Sequence, residues 1–146
     1  MKDAVIVEKI LHAPVLKVWN AITDRNEMKE WYFDLEEFKA EIGFTFKFTG
    51  GPDDGPVYVH ICEVTEVILH RKLSYSWKYE GFPGISYVTW ELEAKGDNTL
   101  LTLTHTGLDT IAPGSPDFAH ANFKEGWNEF VNQSLPTYLD KSKTIG

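Results

Sequence analysis

The sequence predicts an α+β fold in which a strongly curved antiparallel sheet of six to seven strands wraps around a long C-terminal helix, with two short helices after the first strand. Three observations predict it. From Phe44 to His105 the apolar pattern has period two and is broken only by short turns, so consecutive strands should pair as antiparallel hairpins. From Phe123 to Tyr138 the apolar residues recur at three- and four-residue steps, as on one face of a helix, and most are aromatic. The chain has 146 residues, the size of one domain covering 1–146. A chain of that length buries roughly 70% of its unfolded surface and needs no disulfide or metal to hold together.

The elements follow in order. Val5, Val7 and Lys9 alternate with Ile6, Glu8 and Ile10, so Val5 to Leu11 reads as a strand, and the segment then breaks at Ala13-Pro14. Pro14 suits a first helical turn, where its missing amide proton is not wanted. Val15, Val18, Trp19 and Ile22 then share one helical face. Asp24 is expected to cap a second short helix, with Glu27 three residues on as its reciprocal partner, and Met28 and Trp31 lie on that helix. Phe44, Phe46 and Phe48 alternate with Thr45, Lys47 and Thr49, and the run from Gly50 to Pro56 is a loop by every local criterion. Val57 to Val67 is extended but apolar on both faces, so the direction of His60 stays open. Leu73, Tyr75, Trp77 and Tyr79 share one face of the next strand. Val88, Trp90 and Leu92 share a face of another, with Glu91 and Glu93 facing solvent. After Lys95-Gly96-Asp97-Asn98, a tight turn, Leu101, Leu103 and His105 point the same way. Ser115-Pro116-Asp117 looks like the start of the last helix, and Pro136 should kink or end its regular part. The order read in this way is strand, two helices, six strands, one long helix.

Composition narrows the function. A net charge of −8 argues against non-specific affinity for nucleic acid or anionic membrane, because both reward basic patches. The opening Met1 to Lys9 is too short in its apolar run for a secretory signal, and no stretch approaches bilayer-spanning length. The single Cys62 cannot form an internal disulfide, and it reads as a small buried filler in a reduced, cytoplasmic setting. Five His, at 12, 60, 70, 105 and 120, show no metal-ligand spacing, and no phosphate loop or nucleophile turn occurs, so no metal or cofactor is expected. The unusual number is the aromatic content: five Trp, six Tyr and nine Phe. Such residues make either a heavy core or the amphipathic wall of a small-molecule pocket.

Several motifs carry a family resemblance. Ala13-Pro14 with Val18-Trp19 and then Trp31, Glu66-Val67 followed by Leu73, Tyr75 and Trp77, the strand Thr99-Leu100-Leu101-Thr102-Leu103-Thr104-His105, and Gly126-Trp127 with Ser134-Leu135 and Tyr138-Leu139 occur in one order from Ala13 to Leu139. In that order they resemble the SRPBCC, or START-like, superfamily, in the branch of homologues of the heat-shock-protein-90 ATPase activator. The resemblance implies a helix-grip fold with a cavity between the curved sheet and the last helix. It also implies a choice of activities: carriers of lipids and hormones, polyketide cyclases and aromatases, and co-chaperone modules linked to the stress response. Fold alone does not select among them. Two departures stand out. The separate N-terminal domain of the eukaryotic activators has no counterpart here, so stimulation of the chaperone is not expected. The usual proline turn after Glu66-Val67 is replaced by Ile68-Leu69-His70.

Sheet alternation and helical spacing aim one set of side chains at the concave space: Phe46 and Phe48, Tyr75 and Trp77, Trp90, His105, and Phe123 and Trp127 on the helix, joined by Trp31 from the second short helix. His105, on an apolar face, can be a satisfied core residue, a ligand contact or a base. Asp34, Glu36, Glu37 and Glu41 read as a solvated edge strand rather than converging carboxylates. The leading expectation is a binding module for a small apolar or amphipathic molecule, followed by a cyclase- or aromatase-like enzyme using the same cavity. A protein-interaction module with a chaperone partner comes third.

Overall fold

A computed structural model describes residues 4–33, 35–50, 55 and 57–145. The loop expected from Gly50 to Pro56 and the acidic Asp34 thus lie mostly or wholly outside the described residues. Six strands form one antiparallel sheet: β1 (Val5–Leu11), β2 (Thr45–Gly50), β3 (Tyr58–Ile68), β4 (Lys72–Tyr79), β5 (Ser86–Lys95) and β6 (Asn98–Thr106), in the spatial order β1-β6-β5-β4-β3-β2. Among the described residues five strands follow the short helices, not the six read from sequence. β1 closes the far side of the sheet by pairing with β6, Val5 opposite His105 and Leu11 opposite Thr99. The last three hairpins follow directly from sequence, because each strand is joined to its neighbour by a short turn. The tightest of them leaves Gly96 and Asp97 between the paired Lys95 and Asn98, with Gly96 at φ 63° where a side chain would be strained.

Between β1 and β2 lie α1 (Val15–Thr23) and α2 (Arg25–Trp31). Pro14 is the residue before α1 rather than within its first turn. Asp24 caps α2 as expected, its carboxylate accepting from the Asn26 amide at 2.8 Å. Glu27 does not complete a capping box. The Asp24 amide instead donates to the Asn20 carbonyl, the last bond of α1, and Glu27 accepts the Tyr138 hydroxyl at 2.7 Å. The acidic stretch after α2 is not an edge strand either. Residues 35–42 are in no strand, only Gly43 and Phe44 exchange backbone hydrogen bonds with Val64 of β3, and Glu36, Glu37 and Glu41 are exposed while Leu35 and Phe38 are buried. Phe38 packs edge-on to Phe46 at 5.1 Å, and the Arg25 guanidinium donates to the Leu35 carbonyl at 2.6 Å. Tertiary anchors of this kind fix a segment without giving it a strand partner.

The last helix is interrupted. After β6 come α3 (Leu108–Ile111) and two 3₁₀ turns, Ala112–Gly114 and Pro116–Phe118. Ser115 does act as a cap, accepting from the Asp117 amide, but it heads the second 3₁₀ turn. The long helix begins later, at α4 (His120–Glu129), passes through a π turn (Phe130–Ser134) and continues as α5 (Leu135–Ile145). Pro136 therefore does not end it. A proline lacks the amide that the Asn132 carbonyl would receive in an α-helix, and its ring crowds that carbonyl. The wider turn, in which the Leu135 amide reaches back to Phe130, sits immediately before it. Trp127, Val131, Leu135 and Leu139 are buried at four-residue steps along the helix and lie over the concave sheet face. No helix of the described residues is long and apolar enough to cross a membrane.

Candidate ligand cavity between the sheet and the last helix

The concave face is lined by rings from β2 to β6, but it is not filled evenly. Beside α2, Trp31 lies edge-on to Trp90 at 5.8 Å and to Phe130 at 6.1 Å. The Trp90 indole donates to the Tyr75 hydroxyl at 3.0 Å, and the Tyr75 and Tyr32 hydroxyls share a hydrogen bond of 2.8 Å. Trp31 donates to the Ala21 carbonyl at 2.9 Å. Phe46 packs edge-on to Tyr75 at 5.2 Å. Burial pushes the ionisation of both Tyr32 and Tyr75 well up, so they are neutral links in this chain. Of the residues that sequence aims inward, Trp31, Phe46, Tyr75 and Trp90 therefore belong to a close-packed end.

At the other end a cavity of about 400 Å³ opens between β2–β4, the 3₁₀ turn at Pro116–Phe118 and the helix. Trp77, His60 and Tyr79 form its sheet side, and Phe123, Gly126, Trp127 and Phe130 form its helix side. Phe33 lies to one side, with Gly50, Tyr58, Asp117, Phe118 and Asn122 completing the wall. All of these are aromatic except Gly50, Asp117, Asn122 and Gly126. A Cβ at Gly126 would meet nothing within 4 Å, so the helix passes the cavity at a point where it has no side chain. At Gly50 the opposite holds: a Cβ would press on both His60 and Phe33 at 3.3 Å.

Trp77, Phe123 and Trp127 are the sequence-derived candidates that border this space. Phe48 lies one ring behind it, stacked on His60 at 4.5 Å and on Phe33 at 4.2 Å. His105 is fully buried behind Trp77 and Trp127, with ring centroids 5.4 and 5.8 Å away. Its partners fix its state. An indole nitrogen can only donate, so the bond from Trp127 Nε1 to His105 Nδ1 (3.0 Å) makes Nδ1 the acceptor. Nε2 then carries the proton and donates to Ser86 Oγ at 2.7 Å, and the Ser86 hydroxyl donates on to the Trp77 carbonyl at 3.0 Å. The geometry is that of a neutral imidazole tying the helix to two strands.

Four polar residues of the cavity wall, His60, Tyr58, Asp117 and Asn122, were not placed there by sequence reasoning. His60 is buried, and its Nδ1 lies 3.2 Å from the Tyr58 carbonyl. Desolvation is the main cause that lowers its pKa to about 4, so it is neutral at pH 7. Tyr58 donates to Asp117 Oδ2 at 2.6 Å, a bond across the cavity mouth that pushes the phenol's ionisation up. Asn122 bonds the Pro116 and Asp117 carbonyls and so fixes the turn that carries Asp117. Tyr79 accepts from the Trp77 indole at 3.0 Å and stacks on Phe118 at 4.0 Å. The Cys62 thiol is buried and its ionisation is pushed well up by desolvation, so it is no thiolate at neutral pH.

A curved antiparallel sheet gripping one long helix, with a cavity between them, defines the class of helix-grip proteins. The comparisons make this specific. The family model described as activator of Hsp90 ATPase homolog 1-like protein matches residues 12–140, and the chain belongs to that family. Among solved structures it is similar to DynU16, a protein in the dynemicin biosynthetic locus (29% identity, TM-score 0.76), covering 96% of this chain but 48% of that one. The chain thus spans about half the length of DynU16. It is also similar to CalU16 from Micromonospora echinospora (26% identity, TM-score 0.72, covering 97% of this chain and 79% of that one). Protein MLL2253 from Mesorhizobium loti is 30% identical with a TM-score of 0.74, covering 94% of this chain and 97% of that one. No curated protein sequence matches the chain.

Proposed function

We propose that the protein binds one small apolar or amphipathic molecule in the cavity between β2–β4 and the last helix, with Trp77, Phe123 and Trp127 as its principal ring contacts. The observation that carries this reading is the combination of about 400 Å³ of space, a wall built mostly of rings, and a glycine among the helix residues that border it. That volume lies within the roughly 300–1,000 Å³ range of ordinary small-molecule sites. The indoles of Trp77 and Trp127 spend their hydrogen bonds on Tyr79 and His105, which supports a wall that offers ring faces and not unsatisfied donors. His105 serves in this reading as the anchor that orients Trp127, and Trp31, Phe46, Tyr75 and Trp90 as the packed frame. A cytoplasmic location, in which Cys62 stays reduced, is part of the same proposal.

The test is to fill the cavity from the helix side. Gly126→Leu places a side chain in open space and should reduce binding of an apolar fluorescent probe by about tenfold or more, while the thermal unfolding midpoint stays at or above that of the wild type. A wild-type protein that binds no such probe would defeat the proposal, as would a Gly126→Leu variant that binds it unchanged.

A further inference from the structure

We propose that the ligand of this cavity is a cation, an ammonium group carried on an apolar or aromatic body; this rests on the ligand-binding reading above and specifies its chemistry. Among the described residues that line the space, Asp117 is the only one with a formal charge at neutral pH. No Lys or Arg is among them, and His60 is held neutral by burial. A ligand anion would therefore sit beside a carboxylate with no counter-charge from the wall, which is unfavourable. The site gives a cation two kinds of partner at once.

The first is the carboxylate. Asp117 sits in the 3₁₀ turn whose amide is capped by Ser115, and its Oδ2 accepts the Tyr58 hydroxyl. An ionised carboxylate can take about four hydrogen-bond donors, so one bond from Tyr58 orients the group without saturating it. The second partner is the rings. Aromatic faces carry the negative side of a quadrupole and attract ammonium groups, with Trp the strongest. Tyr58, Trp77, Tyr79, Phe118, Phe123 and Trp127 surround the space that Asp117 borders. The net charge of −8 adds a long-range potential of the same sign, which favours the approach of cations over anions.

The experiment uses one ring system with four end groups: 2-naphthylmethyltrimethylammonium, 2-naphthylmethylammonium, 2-naphthylmethanol and 2-naphthylacetate. Each competes with the apolar probe on the full chain. Both ammonium compounds should displace the probe at roughly tenfold lower concentration than the alcohol, with the acetate weakest. Asp117→Asn should remove about fivefold or more of the ammonium affinity and change that of the alcohol less than about twofold. Unaltered binding of the apolar probe by Asp117→Asn, with a thermal unfolding midpoint close to that of the wild type, checks that the pattern is not a folding defect. Raised salt should weaken the ammonium compounds selectively. Equal binding of alcohol and ammonium, tightest binding of the acetate, or an Asp117→Asn variant that keeps the ammonium preference would overturn the cation assignment while leaving the ligand-binding reading standing. If neither the probe nor any of the four compounds binds the wild type, both readings fail together.

Discussion

At the α2 end of the concave face, Trp31, Tyr32, Tyr75 and Trp90 interlock through edge-on contacts and a chain of hydroxyl and indole hydrogen bonds. At the opposite end, Tyr58, Trp77, Tyr79, Phe123 and Trp127 are the same kinds of residue over the same sheet, yet they enclose about 400 Å³. What differs is the material the sheet's partners supply. The packed end receives Trp31 from α2, and Val131, Leu135 and Leu139 from the helix add buried aliphatic bulk. The open end receives Gly126, and the 3₁₀ turn contributes Asp117 at the rim instead of an apolar plug. Aromatic content alone therefore does not decide between core and site. The partner element decides, by providing volume or withholding it.

The largest effect should come from the packed end. Trp90→Ala removes a ring surrounded on all sides and the donor to Tyr75, and should cost about 4 kcal/mol in denaturant unfolding. Trp127→Ala removes a ring that packs against Tyr32, Trp77, Trp90 and Phe130 but borders the cavity on its remaining side, together with the bond to His105, and should cost about 2–3 kcal/mol. A Trp127 loss equal to that of Trp90 would mean that the cavity is filled in solution.

Acid should act on a similar scale, and through His60. Its pKa falls from 6.5 in the unfolded chain to about 4 in the fold, so the native state takes up this proton later than the unfolded state does. The stability that the neutral imidazole preserves is complete above about pH 6.5, declines as pH falls and is gone by about pH 4, a difference of ~3 kcal/mol. Urea unfolding of wild type and His60→Gln across that window should show a steeper acid loss in the wild type. Parallel curves would remove His60 from the account. Smallest is Gly126→Ala, which replaces a helix-interior glycine where the new methyl meets open space. It should stabilise the fold by up to about 1 kcal/mol, and a loss of stability would mean that the helix is closer to the sheet there than described.

Much of the frame was legible in the sequence, because period-two alternation in β4, β5 and β6 and four-residue spacing in the last helix are direct consequences of backbone geometry. The inward direction of Trp77, Trp90 and Trp127 followed from that. The direction of His60 did not, and the reason lies in β3. Its register with β4 shifts between Val64 and Glu66, so His60 and Val64 pair on one parity and Val67 opposite Leu73 on the other. Before that shift, half-buried Val59 and Ile61 already make the face opposite His60 and Cys62 apolar, so alternation could not choose between the two faces. Asp117 and Tyr58 were hidden for another reason: they meet 59 residues apart, one in a loop turn, with no periodic pattern to join them. Gly126 was the one readable signal of the opening, since a glycine inside an amphipathic helix is unfavourable unless something requires it. Which rings fill space and which bound it is a matter of summed volumes, and alternation reports direction only.

The five tryptophans offer the most direct test of the division into a packed end and an open end. Each indole N–H gives its own signal in a two-dimensional ¹H–¹⁵N NMR spectrum, and a titration with 2-naphthylmethanol, the neutral member of the naphthyl set, reads all of them at once. Trp77 and Trp127, which border the cavity, should move progressively and saturate, while Trp19, Trp31 and Trp90 stay in place. Saturating shifts at Trp31 and Trp90, or no shift at any indole when the probe is shown to bind, would contradict the account.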